Sequence, residues 1–290
     1  MLRRNLLVQA LLVAPAVLAH RAKAAGSEDQ EIRRRLARIE HGVGGRLGVS
    51  ILDPVAGKRV DYRGNERFPL CSTYKLLAGA AVLARVDRGE DSLERRIVYP
   101  RDKLVTYSPA TEQHAGAEGM TLGAICEAAV RLSDNTAGNL LLESLGGPSG
   151  LTSVLRAWGD SMTRLDRIEP QLNDATPGDP RDTTTPAAMA ETVRKVVVAD
   201  GLSATSRERL AGWLIANRTG DKRLRAGLPG AWRAGDRTGA GDHATTNDVA
   251  VIWPPGRAPL IAVAYLTQSP APVDARNAAL AQVGQIAAVL

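Results

Sequence analysis

Phe68-Pro69-Leu70-Cys71-Ser72-Thr73-Tyr74-Lys75-Leu76-Leu77-Ala78-Gly79-Ala80-Ala81-Val82-Leu83-Ala84 decides where the core of this chain lies. After Lys75 no charge appears until Arg85. A helix that is apolar all round either spans a membrane or is buried, and this run is too short to cross a bilayer. The sequence therefore predicts a buried helix with Ser72 and Lys75 one turn apart at its N-terminal end, on one face. Burial penalises a charged amine, so such a lysine needs a partner or a lowered pKa. A hydroxyl beside an amine able to take its proton is the arrangement of an activated nucleophile.

Outward from this helix, residues 28–40 set Ile32, Leu36 and Ile39 at helical spacing. Segments 46–52 and 58–62 read as strands joined by the turn Asp53-Pro54-Val55-Ala56-Gly57. Gly42, Gly44 and Gly48 precede a strand instead of opening a helix, so they read as a turn and not as a dinucleotide loop. Segments 232–240, 247–253 and 260–267 read as three further strands, and 274–290 as an amphipathic terminal helix. Between 68 and 216 helical patterns and long loops dominate. The fold class that follows is α+β: an antiparallel five-stranded sheet with terminal helices, formed by both chain ends (25–67 and 217–290). An inserted all-α lobe (68–216) completes it, with the active site between the two.

The 290 residues, 44% hydrophobic and 23% charged, suit a soluble globular protein of one compact unit or two small lobes. The start is different in kind. Met1-Leu2-Arg3-Arg4-Asn5 is basic, 6–19 is apolar, and Ala22-Lys23-Ala24 has the small-x-small form of a cleavage site. Residues 1–24 thus have the layout of a secretory signal peptide, with a membrane-anchoring first helix as the alternative. Arg3-Arg4 before Asn5-Leu6-Leu7 also resembles a twin-arginine export signal, and both export routes stay open. The expected destination is periplasmic or secreted, with no stable membrane anchor once the leader is removed.

Removal of the leader takes Arg3, Arg4, Arg21 and Lys23 and no acid, so the charge of +6 falls to +2, 33 basic against 31 acidic residues. So small a surplus argues against a nucleic-acid partner. Cys71 and Cys126 could pair in an oxidising compartment, but spacing does not decide it. His20, His41, His114 and His243 form no His-x-x-x-His pair and no Cys/His cluster, so neither a metal nor a cofactor is expected.

Ser72-Thr73-Tyr74-Lys75, Ser133-Asp134-Asn135 and Arg237-Thr238-Gly239 stand in this order along the chain. Singly, each is ordinary: a helix turn, a helix cap, a strand end. Together they resemble the Ser-x-x-Lys, Ser-Asp-Asn and Lys-Thr-Gly set of class A β-lactamases and penicillin-binding proteins, with arginine replacing the third motif's lysine. Arg167-Ile168-Glu169-Pro170-Gln171-Leu172-Asn173, running on to Asp179-Pro180-Arg181-Asp182-Thr183-Thr184, resembles the β-lactamase Ω-loop with its deacylating carboxylate. Thr219-Gly220-Asp221-Lys222-Arg223-Leu224-Arg225, Leu104-Val105-Thr106-Tyr107-Ser108-Pro109 and residues 245–253 extend the likeness over nearly all of the mature chain. On these motifs it is identified as a member of the exported class A serine β-lactamases.

That resemblance implies a set of roles. Ser72 is the nucleophile, Lys75 and Glu169 compete as acylation base, and backbone N–H groups of Ser72 and Ala240 hold the oxyanion. Ser133 passes a proton to the departing ring nitrogen, and Glu169 with Asn173 positions the deacylating water. Asn135 bonds the substrate's amide side chain and Tyr107 forms an apolar wall. Arg223, Arg237, Thr238, Gly239 and Ala240 take up the rest of the substrate, including its carboxylate. Arg167 and Asp182 should pair to close the loop, in which Glu169-Pro170 is a candidate cis bond. The implied partners are small-molecule β-lactams, penicillins and cephalosporins, acted on by a monomer.

Two departures from the family pattern matter. Arg237 keeps the cation but swaps a point charge for a planar fork, as in some relatives with good carbenicillin hydrolysis. Cys71 resembles carbapenem-hydrolysing relatives, in which it pairs with a cysteine just after the third motif; Gly241 stands there in this chain, so that bridge cannot form and Cys71 reads as a small buried hydrophobe. The rivals are a cell-wall D,D-peptidase and a non-hydrolysing penicillin-binding domain. Glu169 and Asn173 count against both.

Overall fold

Apolar residues run without a break through the last strand, because both faces of the sheet it belongs to are covered. The computed structural model describes residues 28–116 and 118–290; the leader assigned to residues 1–24 lies outside them. Helix α1 (28–43) leads into β1 (Arg46–Asp53) and β2 (Lys58–Tyr62). The middle of the chain runs through β3 (Phe68–Pro69), α2 (Tyr74–Asp87), β4 (Arg96–Ile97), β5 (Met120–Thr121), α3 (Leu122–Leu132), α4 (Asn135–Ser144) and α5 (Gly147–Ala157). It continues through β6 (Thr183–Thr184), α6 (Pro186–Val193) and α7 (Ala204–Ile215), then returns in β7 (Arg233–Gly241), β8 (Thr245–Trp253), β9 (Leu260–Thr267) and α8 (Val273–Ala287).

The five-stranded sheet has the order β2-β1-β9-β8-β7, each neighbouring pair antiparallel, so both chain ends build it. Along β9, Leu260, Ala262, Ala264 and Leu266 pack with Ile32 and Leu36 of α1 and Leu280 and Val283 of α8. The alternate residues Ile261, Val263 and Tyr265 join the core of the helical layer, as the period of two in a strand requires. The architecture is α+β, as the sequence reading expects.

Strand β8 begins at Thr245, two residues before the sequence places it. The connection ahead of it turns through His243 and Ala244, both left-handed (φ 51° and 55°). Tight hairpins of this kind are normally advertised by Asn-Gly, which is missing here. The pairs β3–β6 and β4–β5 are also absent from the sequence reading; two residues per strand are too few to show a period.

Helix α2 is the axis of the helical layer. Every residue from Tyr74 to Ala84 is buried, among α3, α4, α5 and α7. Ser72 lies two residues ahead of it, in a 3-10 turn over Cys71–Thr73. The sequence sets Ser72 at the N-terminal end of the helix; the structure puts it in the 3-10 turn that leads into the helix, and Cys71 at φ 44° marks where the helical course begins, since an α-helix admits no left-handed residue. Cys71 and Cys126 are both free and buried. Among the described residues no helix is long and apolar enough to cross a membrane.

Candidate active site

The turn bearing Ser72 is held from several sides. Leu70 N donates to Asp182 O at 2.8 Å, Asn247 Nδ2 of β8 donates to Pro69 O at 2.8 Å, and Thr73 Oγ1 donates to Leu70 O at 2.7 Å. Strand β7 presses on it edgewise: a Cβ on Gly239 would come 3.2 Å from Cys71 Cβ, and one on Gly241 only 2.7 Å from Cys71 Sγ. Ala240 lies between these two close approaches, on the open edge of the sheet, where outward N–H groups have no strand partner. Burial pushes the Cys71 thiol far above its ordinary pKa, so beside the nucleophile it is inert packing.

Lys75 Nζ is fully buried and donates to Asn135 Oδ1 (2.6 Å), Ser133 O (3.0 Å) and Ser72 Oγ (3.1 Å). Glu169 Oε1 lies 2.8 Å from it, and Ser72 Oγ donates to the same oxygen at 3.4 Å. Burial lowers the lysine to about 8, the Glu169 charge opposing that shift and the Arg237 charge adding to it. An ammonium has three donors. Asn135 Oδ1, Ser133 O and Glu169 Oε1, none of which carries a hydrogen to give, are enough to fill them.

Glu169 reaches this cluster from a loop that closes on itself. Arg167 Nε is 2.6 Å from Asp182 Oδ2, while Asp182 Oδ1 accepts from the backbone N–H groups of Asp166 (2.7 Å) and Arg167 (2.9 Å). Glu169-Pro170 is cis. Asn173 Nδ2 donates to Glu169 Oε2 at 2.5 Å, and Asn173 Oδ1, buried, accepts nothing among the described residues. The sequence reading missed Asn139, whose Oδ1 accepts from Glu169 N (2.8 Å) and whose Nδ2 donates to Glu169 O (3.0 Å). The signal was present, since Asn139 follows Asn135 by four residues and shares its helix face.

On the other wall Arg237 is fully buried, and its Nη2 donates to Ser133 Oγ at 2.5 Å. Burial lowers it to about 10, against the pull of the Glu169 charge, so it stays cationic at neutral pH. Ser133 is left-handed (φ 62°) at the end of α3. The next residue, Asp134, caps α4 through Ala137 N (2.8 Å) and ties down Ala110 and Thr111 (2.9 Å to each N–H). Tyr107, 56% exposed, receives the Asn135 N–H on its carbonyl at 2.9 Å, and Thr106 O accepts from Asn135 Nδ2 at 2.8 Å.

Thr238 Oγ1 meets Thr219 Oγ1 at 2.5 Å. Arg223 Nη1 donates to Gly239 O (2.9 Å) and Asn247 O (2.6 Å), its Nε to Asn277 Oδ1 (3.1 Å), and burial lowers its pKa. Arg225 pairs with buried Asp236 at 2.7 Å. Asn247 and Asn277 come from far along the chain, and no local pattern announces them. Among the described residues no group of three His, Cys, Asp or Glu side chains could hold a metal ion.

A serine hydroxyl that shares one buried amine with one buried carboxylate is a geometry for acyl transfer through a covalent ester. The family model described as "Beta-lactamase enzyme family" matches residues 30–289. Beta-lactamase CTX-M-8 of Citrobacter amalonaticus is 46% identical over 260 residues, 90% of this chain and 89% of the relative. Beta-lactamase AER-1 of Aeromonas hydrophila is 46% identical over 83% of this chain and 79% of its own length. Among solved structures, an ancestral (GNCA) class A β-lactamase is 61% identical with a TM-score of 0.87, covering 88% of this chain and 98% of that one. The putative class A β-lactamase PenP from Rhodopseudomonas palustris is 53% identical with a TM-score of 0.88, over 90% and 100%. The chain belongs to this family: it is a class A serine β-lactamase, a β-lactam hydrolase.

Proposed function

We propose that the chain hydrolyses penicillins and cephalosporins through an ester on Ser72 and thereby confers resistance to them. Ser72 Oγ attacks the lactam carbonyl while the N–H groups of Ser72 and Ala240 receive the oxyanion; one such donor is worth about 3 kcal/mol in the transition state. The ring C–N bond breaks, and Ser133 gives its proton to the nitrogen. Arg237 donates to Ser133 Oγ and so leaves that hydroxyl's own hydrogen free to be passed on. Asn135, Tyr107, Thr238, Gly239, Ala240, Arg223 and Arg237 form the substrate site, with the two arginines directed to the substrate carboxylate. A cationic fork at Arg237 suits substrates that carry a carboxylate.

Glu169 takes the Ser72 proton during acylation, while Lys75 stays cationic below about pH 8. The 3.4 Å between Ser72 Oγ and Glu169 Oε1 is long for direct transfer and suits passage through one water. In the second half Glu169 draws a proton from a water that attacks the ester, releasing the opened product and restoring Ser72. Asn173 Oδ1, a buried acceptor without a partner among the described residues, is fit to hold that water. Arg167 and Asp182 keep the loop in place. The residues at 1–24 would deliver the chain to the periplasm or the medium and be removed there.

One observation carries this reading: a fully buried carboxylate 2.8 Å from Lys75 and within reach of Ser72, which a chain that merely stores a penicilloyl ester does not need. Purified protein mixed with a chromogenic cephalosporin should turn over many equivalents. Stoichiometric labelling of Ser72 without repeated turnover would make it a penicillin-binding protein instead.

A further inference from the structure

Gly138 sits in the interior of α4, where glycine is the poorest helix former after proline. Its position there is explained by what lies against it. A Cβ at 138 would come 2.3 Å from Tyr74 Oη, 3.3 Å from Tyr74 Cζ and 2.7 Å from Lys75 Cε. The bare α carbon is therefore the surface on which the rim of the tyrosine and the end of the lysine stem both rest. Tyr74 is fully buried, and its hydroxyl has no hydrogen-bond partner among the described residues. Lys75 Nζ is 5.8 Å from the centre of the Tyr74 ring. The hydroxyl thus contributes volume at this point, where a side chain on α4 would otherwise stand.

We propose that Gly138 and Tyr74 form a size-matched wedge that sets the reach of Lys75. The gap at 138 seats the terminal methylene of the lysine, and the tyrosine rim closes that gap from the side. Nζ is then delivered to the point where Asn135 Oδ1, Ser133 O, Ser72 Oγ and Glu169 Oε1 converge. Gly138 touches no substrate and is a positioning residue. This inference rests on the assignment of Lys75 to the catalytic group made above.

A methyl group at 138 forces a retreat. The tyrosine ring is rigid and enclosed, so α4, which also carries Asn135 and Asn139, or the lysine stem has to move by an appreciable part of an ångström. Displacements approaching 1 Å at a reacting group cost on the order of 10²-fold in rate. Phenylalanine at 74 removes the atom that stands closest to the new methyl and leaves only the Lys75 contact.

The test measures kcat per mole of folded protein, with folding checked by circular dichroism, and its pH dependence with a chromogenic cephalosporin. The variants are Gly138→Ala, Tyr74→Phe, their combination, and Lys75→Ala as control. Gly138→Ala should lose on the order of 10²-fold in kcat and shift the limb assigned to Lys75, whose charged neighbours are Glu169, Arg237 and Asp134. Tyr74→Phe alone, which leaves the gap unclosed without filling it, should lose about three-fold in kcat, far less than Gly138→Ala. The double variant should recover about ten-fold over Gly138→Ala while keeping a shifted limb. A Gly138→Ala protein with parental kcat and parental profile overturns the wedge, as does a double variant no better than the single one. If Gly138→Ala does not fold, the double variant decides alone: about ten-fold below the parent with a shifted limb supports the wedge, and parental behaviour ends it. Parental activity in Lys75→Ala would instead remove the functional assignment itself.

Discussion

Replacing Asp182 with alanine takes away the group that fastens the Glu169 loop at both ends. Asp182 is 1% exposed, and it accepts from Asp166 N, Arg167 N and Arg167 Nε at 2.7, 2.9 and 2.6 Å. The alanine variant leaves two backbone donors and one cation without their acceptor. Breaking a buried ion pair from one side costs about 3–5 kcal/mol; Arg167 retains Asp174 at 2.6 Å on the half-exposed side, which trims that figure. Each buried N–H left bare adds about 1–3 kcal/mol, and water entering the opened loop returns part of it. A net loss of about 4 kcal/mol is a large share of the 5–15 kcal/mol typical of a folded domain. At roughly 2–4 °C per kcal/mol for a chain of this size, Tm should fall by about 8–16 °C. Asp182→Asn keeps an oxygen for the two N–H groups and loses only the charge, so it should fall by about half as much. Calorimetry measures both, and stopped-flow follows the rates: acylation and deacylation should both drop, because Glu169, which takes a proton in each half, rides on the loop. An alanine variant melting within about 2 °C of the parent, with deacylation unchanged, would refute the role given to Asp182.

Three further outcomes follow from the same geometry. Lys75 loses its proton near pH 8 in the folded protein but near 10.5 when unfolded, so the unfolded state binds more protons across that window. This group therefore makes stability rise as pH increases from about 8 to 10.5, while acylation falls above about 8 as the cation disappears; an acylation rate that climbs to a plateau above 8 would make the free amine the base. Asn139→Ala removes both bonds to the Glu169 backbone and should slow deacylation on the order of 10²-fold, with acyl-enzyme accumulating in mass spectra. Gly241→Ala places a methyl 2.6 Å from Asn173 O and 2.7 Å from Cys71 Sγ; it should displace Asn173 and lower steady-state penicillin turnover by about ten-fold.

Most of the sheet and the buried helix were legible in the chain because they are long and periodic. Strands β1 and β9 carry their own patterns, and no charge interrupts α2 from Leu76 to Ala84. What stayed hidden was set by single backbone conformations or by distant partners. The left-handed Cys71 fixes where the 3-10 turn carrying Ser72 begins, and His243 with Ala244 forms a tight turn without a turn signature. Within the site, Ser72, Lys75, Ser133, Asn135 and Arg237 come from three motifs that are close in space only after folding. Their spacing in the chain carries no distances; family resemblance supplied the grouping, and the structure supplies the hydrogen bonds. Asn247 and Asn277 brace Leu70 and Arg223 from β8 and α8, long-range contacts that no window of sequence reveals. Gly138 drew no reading from the sequence, and only the approach of Tyr74 and Lys75 gives it a reason.

The central claim is a Ser72 ester that Glu169 clears. Glu169→Gln keeps the shape of the side chain and removes the base, so mixing it with a penicillin and digesting the protein tests the claim most directly. The ester should form more slowly than in the parent, since Glu169 also takes the Ser72 proton, and then persist. With excess penicillin the peptide bearing Ser72 should reach full occupancy with the mass of one intact penicillin and hold it for minutes, while the parent enzyme accumulates none. Turnover by the variant at the parent rate, or an adduct on any residue other than Ser72, would contradict the account.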